Sequence, residues 1–293
     1  MQVSAAIQSI IQQKLSEHFS AVRPVQFSGI GGESINETYR ISFGAENVFC
    51  KLNSVSEFPQ LFQKEKAGLE LLAKQGILKT PAIIECFEQA NSQVLVLEWI
   101  QPGEKTEGFW KKFGEQLATL HRISTDSFGL HEDNYMGSIP QSNRQHKTWV
   151  DFFAEERLKP MIGRCFHKKL LSKTHRQQFE SVEKKLTEIF AEEKPSLLHG
   201  DLWNGNFMCN QNNEPVLIDP SVYFGHRSVD LAMTTLFGGF RQPFYEAYHH
   251  HFPLPKNHEQ QWAVCNLYPL LIHLYLFGGG YLPQIENILR GFA

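Results

Sequence analysis

The 293-residue chain has no C-x-x-C pair, no excess of charge of either sign, and no uninterrupted apolar run long enough to cross a bilayer. Each absence removes a class of function. Five cysteines (Cys50, Cys86, Cys165, Cys209, Cys265) are odd in number and scattered. They signal neither a disulfide framework nor a zinc site, and a reducing cytoplasm fits best. With 28 Lys+Arg against 31 Asp+Glu, a formal net charge of -3 and a pI near 6.5, the chain lacks the clustered basic excess of nucleic-acid or anionic-membrane binders. The first segment, MQVSAAIQSIIQQKLSEHF, lacks a basic start, a continuous apolar core and a small-residue cleavage site, so no export signal is expected. The late stretch LYPLLIHLYLFGGGYL is interrupted by Pro269, His273 and three glycines; it reads as a buried helix rather than a span of about 20 apolar residues. There is no internal repeat and no low-complexity tract. The expected partner is a small molecule, with no nucleic acid and no membrane, and the oligomeric state leaves no signature.

What is present is apolar and aromatic. Hydrophobic residues make up 42% of the chain, with 23 Phe and 8 Tyr, enough for a large core. The length suits two lobes sharing a cleft better than a single core. Ile7, Ile10, Ile11, Leu15 and Phe19 recur at helical spacing, predicting a helix over 3–19. SGIGGESINETYRISF and NVFCKL read as strands around a glycine-rich turn, and residues 57–75 as a helix ended by Gly76. PAIIECFEQANSQVLVLEWI returns to strand patterning, and Pro102 and Gly103 follow it. The lobe boundary is placed there, giving a β-rich lobe over 1–100 and a larger helical lobe over 101–293, an α+β fold. Phe109, Phe113, Leu117 and Leu120 form a helical stripe, 148–190 reads as one or more long helices, and four further helices are expected after residue 220.

The stretch LLHGDLWNGN, Leu197 to Asn206, carries the chemistry. Phosphoryl transfer needs a carboxylate that orients the acceptor hydroxyl and takes its proton, and metal ions that hold the triphosphate. Asp201 suits the first role and Asn206, five residues on, can offer its side-chain oxygen to a metal. The spacing matches the protein-kinase H-x-D-x-x-x-x-N loop, with Gly200 where that family usually has Arg. A second carboxylate, Asp219, ends VLIDP and is the candidate for the metal that bridges the nucleotide phosphates. Upstream, Gly31 and Gly32 in the hairpin turn would cover the nucleotide, Lys51 on the next strand would reach its α and β phosphates, and Glu65 on the following helix would hold the Lys51 ammonium. Glu98 and Ile100, beside the end of VLVLEW, form the expected hinge for a purine edge. ATP and Mg2+ are the expected cofactors.

Taken together, GGESINETYRI, FCKLN, FQKEKAGLELL, LLHGDLWNGN and IDPSVYFGHRSVDLAMTTLFGGF resemble the fructosamine kinase (ketosamine-3-kinase) family, a branch of the protein-kinase-like fold beside aminoglycoside and choline kinases. The resemblance covers roughly residues 20 to 290. The last motif discriminates best, because aminoglycoside kinases share H-G-D-x-x-x-x-N and the following I-D without Trp203 or YFGHRSVDLAMT. Membership implies a two-lobed protein-kinase-like fold and ATP-dependent phosphorylation of the 3-hydroxyl of a sugar attached to an amine, of fructosamine or ribulosamine type. Ser221 departs from the family, where many members have Ala after D-P. The rival readings are a kinase for another hydroxylated amine, such as an aminoglycoside or choline-like substrate, and a catalytically silent nucleotide-binding pseudokinase.

Other residues carry a bland reading beside a sharp one. His199 is expected to buttress the loop rather than act as a base, and Asp230 to anchor the loop by accepting backbone hydrogen bonds. Trp203 is either core or a ring on which a sugar stacks. His226 and Arg227 are candidates for substrate or phosphate contact, with a structural hydrogen-bonding role equally open. The histidines of YHHHF cannot all face one point on a helix and read as a solvated or packed face. Cys50 reads as a buried strand residue. Glu155, Glu156 and Arg157 read as surface charges.

Overall fold

Alternating apolar side chains give the first hundred residues a sheet with two buried faces. The computed structural model describes residues 3–31 and 35–292. Strands β1 (Val25–Gly29), β2 (Glu37–Phe43), β3 (Glu46–Ser54), β4 (Ile83–Gln89) and β5 (Ser92–Glu98) form an antiparallel sheet in the order β1-β2-β3-β5-β4. Residues two apart share a face. Ile41, Phe43, Val48, Cys50, Val94 and Val96 pack on Ile7, Ile11 and Leu15 of helix α1 (Ala5–His18). The intervening Leu95 and Leu97 pack instead with Leu61, Phe62 and Leu69 of helix α2 (Leu61–Ala73). Lys51 stands between Cys50 and Leu52 and opposite Leu95, so the same alternation turns it toward α2. Helix α2 starts later than its apolar spacing suggested, because Gln60 adopts φ 59°, a left-handed conformation that a helix interior does not accept.

Past β5 the chain crosses against the hairpin of β9 (Phe207–Cys209) and β10 (Pro215–Leu217). The Gly103 amide donates to the Cys209 carbonyl at 2.8 Å. A Cβ at Gly103 would lie 2.1 Å from the Asn210 carbonyl oxygen, so no other residue permits this approach. Helices dominate from here: α3 (Glu107–Leu120), α4 (Trp149–Phe152), α5 (Lys159–His167), α6 (Lys173–Ile189), α7 (Ser228–Met233), α8 (Gln242–His251), α9 (His258–Phe277) and α10 (Leu282–Arg290). Thr106 caps α3 by accepting from the Phe109 amide, and the buried stripe of α3 packs its phenylalanines on Phe207, Phe240 and Phe244. Two more short antiparallel pairs, β6 (Asn134–Met136) with β7 (Ile139–Gln141) and β8 (Ser196–Leu198) with β11 (Tyr223–Gly225), lie in this part. The β6–β7 hairpin, three residues a side, has too short a pattern to read from sequence. Helix α9 contains Pro269 and is largely buried, and among the described residues no helix is long and apolar enough to cross a membrane.

One sequence expectation is overturned here. Residues 153–158 form a π-helical turn between α4 and α5, and its wider winding sends Glu156 and Arg157 inward. Glu156 is buried and Arg157 is 0% exposed, leaving only Glu155 of the three as a surface charge. The histidines at 249–251 close the last turn of α8 at the surface, and Cys50 is buried, its thiol pushed far up by loss of solvent.

Candidate active site

Three elements converge on the Lys51 ammonium. Strand β3 presents it, α2 presents Glu65, and the segment after β10 presents Asp219. Lys51 lies 2.7 Å from Glu65 Oε1 and also pairs with Asp219 Oδ1. The lysine is 2% exposed and Asp219 41%, so the pair sits at the inner wall of an opening. Burial opposes the charge on Lys51, but the two carboxylates outweigh it and hold the ammonium firmly protonated. Burial pushes the Glu65 carboxyl up to about 7; Lys51 opposes that rise and the charge of Asp219 adds to it. Asp219 adopts φ 53°, a left-handed backbone that Asp tolerates better than most residues and that aims its carboxylate at the lysine.

The loop after β8 is built around a second buried carboxylate. Asp230, the third residue of α7 and 0% exposed, accepts from the amides of His199 at 2.7 Å and Gly200 at 2.8 Å. His121 and Tyr248 extend this anchor: His121 Nε2 lies 3.2 Å from Asp230 and its Nδ1 2.9 Å from the Tyr248 hydroxyl. His199 is buried, and burial lowers its imidazole, so it is neutral. Its Nδ1 accepts from the Asp201 amide at 3.2 Å, which leaves Nε2–H to donate to the Ile218 carbonyl at 2.9 Å. Both ring nitrogens are spent on the loop. Gly200 adopts φ +85°, and a Cβ there would lie 2.1 Å from the Ser221 carbonyl oxygen. That close approach explains why glycine stands where protein kinases usually carry arginine.

Asp201 and Asn206 face each other across the loop. The Asn206 amide nitrogen donates to Asp201 Oδ2 and to the Asp201 carbonyl, both at 2.9 Å. Burial pushes the Asp201 carboxyl up to about 7, with the charge of Asp219 adding to the rise and the Asn206 amide opposing it. With its nitrogen committed to Asp201, the side-chain oxygen of Asn206 is free of protein donors among the described residues. Asn206 and Asp219 therefore offer hard oxygen ligands of the kind Mg2+ takes alongside phosphate oxygens. Among the described residues no group of three or more His, Cys, Asp or Glu could hold a metal by itself.

The remaining sequence candidates divide. Gly31 is exposed with open space around it, while Gly32 lies outside the described residues. At the end of β5, Glu98 exchanges hydrogen bonds with Ala82, its amide to the carbonyl at 2.8 Å and its carboxylate from the amide at 3.1 Å. The Ile100 amide and carbonyl have no partner among the described residues, which leaves both available at the hinge position. Trp203 is partly exposed and meets the Phe237 ring edge-on at 5.9 Å. His226 and Arg227 are a different matter. Arg227 spends its guanidinium on Glu193 at 3.0 Å and on the carbonyls of Phe252 and Pro253, at 3% exposure. His226 is 1% exposed, packed on Trp149 and Phe190, and burial lowers its imidazole to about 4. Neither side chain has a face to offer a substrate or phosphate, so their role is to hold the start of α7, and the substrate reading is withdrawn.

Sequence reasoning missed the aromatic surroundings of Trp203. Phe237, with φ 52°, meets the His273 ring at a tilt at 4.6 Å, and His273 in turn meets Tyr281 at 5.0 Å and Phe277 at 5.5 Å. Phe277 is 64% exposed, so the cluster reaches the surface. The one local sign was three successive positions, 237–239, that all require positive φ, with glycine at two of them.

Known proteins resemble the chain over nearly all of its length. The family model described as fructosamine kinase matches residues 5–292. A Synechocystis protein named as a probable ketoamine kinase is 36% identical over 97% of this chain and 95% of its own length. Mouse ketosamine-3-kinase is 30% identical over 94% of this chain and 96% of its own. A crystal structure from Haemophilus somnus, provisionally named a fructosamine-3-kinase, superposes with a TM-score of 0.87 at 27% identity, covering 96% of each chain. The chain belongs to the fructosamine kinase family of phosphotransferases, with a small antiparallel sheet joined to a larger helical part on the protein-kinase-like fold.

Proposed function

We propose that this protein transfers the γ-phosphoryl group of ATP to the 3-hydroxyl of a ketosamine, a sugar joined to an amine. In this reading residues 1–100 form the nucleotide-binding lobe and 101–293 the catalytic and substrate-binding lobe. The observation that carries it is that four segments bring their side chains together, β3 with Lys51, α2 with Glu65, the loop after β8 with Asp201 and Asn206, and the segment after β10 with Asp219, supported by relatives named as ketoamine and ketosamine kinases.

Each side chain has a task. Asp201 accepts a hydrogen bond from the acceptor hydroxyl, aligns its oxygen with the phosphorus and takes the proton as the new bond forms. A carboxyl pushed toward 7 is a better proton acceptor than a solvated one, and the Asn206 amide keeps one of its oxygens fixed. Lys51 leaves Asp219 for the α and β phosphates when nucleotide enters, and Glu65 keeps the ammonium aimed. Asn206 and Asp219 would hold Mg2+ through their side-chain oxygens, and the ion would supply positive charge against the phosphates. The backbone of Ile100, with Glu98 beside it, takes the adenine edge, and Gly31 with Gly32 covers the phosphates. Trp203, with Phe237 and His273 behind it, offers the sugar an aromatic face next to the base.

The test is ATP consumption with Mg2+ against a fructosyl-amine, a ribulosyl-amine, kanamycin and choline, with the product mass recorded. Turnover confined to the sugar-amines supports the reading. Turnover on kanamycin or choline instead would replace it with the kinase for another hydroxylated amine.

A further inference from the structure

Arg157 is buried without a carboxylate, behind the segment that follows Asp219. It is the largest side chain with no exposure among the described residues, and no acidic group there pairs with it. Its Nη1 donates to the carbonyls of Ser142 and Glu156, its Nη2 to Asn143 Oδ1 at 2.7 Å, and its Nε has no partner. The charge rests on three rings: Tyr223 at 4.2 Å, Phe152 at 4.5 Å and Tyr268 at 5.5 Å. A dry cation without a counter-ion is costly to bury, and the desolvated ring contacts offset part of that cost. A methionine would fill similar space with no charge to desolvate, but it would leave the Ser142 and Glu156 carbonyls and Asn143 Oδ1 without this donor.

The two tyrosines lead to the site by separate routes. Tyr223 belongs to β11, four residues past Asp219, and pairs with Leu198 of β8, the strand that delivers His199 and Asp201. The Tyr268 hydroxyl donates to Gln141 Oε1 at 3.0 Å, the Gln141 amide donates to Asn134 Oδ1 at 2.8 Å, and the Asn134 amide donates to the Val222 carbonyl at 2.8 Å. The Ser221 hydroxyl reaches the Tyr135 carbonyl at 2.7 Å, and the Ser221 amide reaches the His199 carbonyl at 2.8 Å. Residues 219–223 are thus clasped by the catalytic loop on one side and the β6–β7 hairpin on the other. Arg157 touches the rings that close both routes from behind.

We infer that Arg157 is a positioning residue for phosphoryl transfer: through Tyr223, and through Tyr268, Gln141 and Asn134, it fixes the backbone of 219–223 and hence the direction of Asp219. This rests on the role proposed for Asp219. In the full-length protein, Arg157→Met, Tyr268→Phe and their combination are compared by Mg2+ dependence of ATP binding, by kcat and KM, and by hydrogen exchange of the Ser221 amide. Arg157→Met is expected to raise the half-saturating Mg2+ and lower kcat by about tenfold each. The KM for the ketosamine stays within about twofold, and Ser221 exchange accelerates. Tyr268→Phe keeps the ring, reproduces part of each change, and adds less than multiplicatively to Arg157→Met. A folded Arg157→Met protein with lowered thermal stability but unchanged Mg2+ saturation, kcat and Ser221 exchange overturns the inference. Should Arg157→Met not fold, Tyr268→Phe and Gln141→Leu decide, and wild-type Mg2+ saturation and exchange in both would overturn it. A wild-type protein without Mg2+-dependent ATP binding removes the role of Asp219 instead, and Ser221 exchange still judges Arg157.

Discussion

Two buried cations, one in the sheet and one among the helices, follow opposite rules. Lys51 is held by two carboxylates that touch its ammonium, while Arg157 is held by rings and carbonyls with no acid beside it. The first arrangement can change partners, because Asp219 is partly open and an incoming phosphate offers the same charge. The second cannot, since the guanidinium has no exposure and all its contacts are made within the fold. A cation meant to move toward a ligand is paired with exchangeable anions, and one meant to hold a frame is packed into it.

The comparison breaks most severely at Asp201, the proposed base. Asp201→Asn keeps the hydrogen-bonding shape but cannot take the proton, so kcat should fall by about 10²–10⁴-fold with ATP binding retained. Near-wild-type turnover of that variant would remove Asp201 from the chemistry. Next comes Lys51→Met, expected to lower kcat/KM for ATP by about a hundredfold, about 2.7 kcal/mol. It also leaves Glu65 buried without its cation. That carboxyl already lies near 7, so the variant can shed the charge by protonation. Its stability relative to wild type should fall as pH rises through the range where Glu65 must ionise, and a pH-independent difference in urea midpoint would contradict this.

Gly200→Ala sharpens the frame side. The added methyl meets the Ser221 carbonyl and demands a strained φ, costing about 2 kcal/mol by denaturant unfolding. Unchanged stability would mean that the approach of the two loops is looser than described. The smallest effect concerns His199 and His226, both held neutral by burial. Below about 6.5 the unfolded chain binds protons that these folded sites decline, so stability should be full above that pH. It should drop as pH falls toward about 4, where His226 begins to protonate in the folded state. His226→Gln should flatten part of that slope in urea titrations.

The same contrast explains what could be read from sequence. Lys51, Glu65, Asp201, Asn206 and Asp219 were legible because each follows a recognisable strand or helix pattern in a fixed order. The sheet was legible because Cys50, Lys51 and Leu52 alternate in kind. Arg157 was not: a Glu-Glu-Arg run in a helical region reads as a solvated face, and the π-helical turn that rotates it inward leaves no compositional trace. Its partners Tyr223 and Tyr268 lie far along the chain, as do Phe237 and His273 from Trp203. Arg227 misled in the opposite direction, because a His-Arg pair near a catalytic motif suggests a phosphate contact until Glu193 is found beside it. Ser221 has a partner of its own in the Tyr135 carbonyl.

The most direct test of the central claim is the product formed from ATP, Mg2+ and a fructosyl-amine by the wild-type protein and by Asp201→Asn, followed by mass spectrometry and by NMR of the sugar carbons. The account predicts one added phosphoryl group on the 3-hydroxyl for the wild type and almost none for the variant. Phosphate at another hydroxyl, or equal product from both proteins, would contradict it.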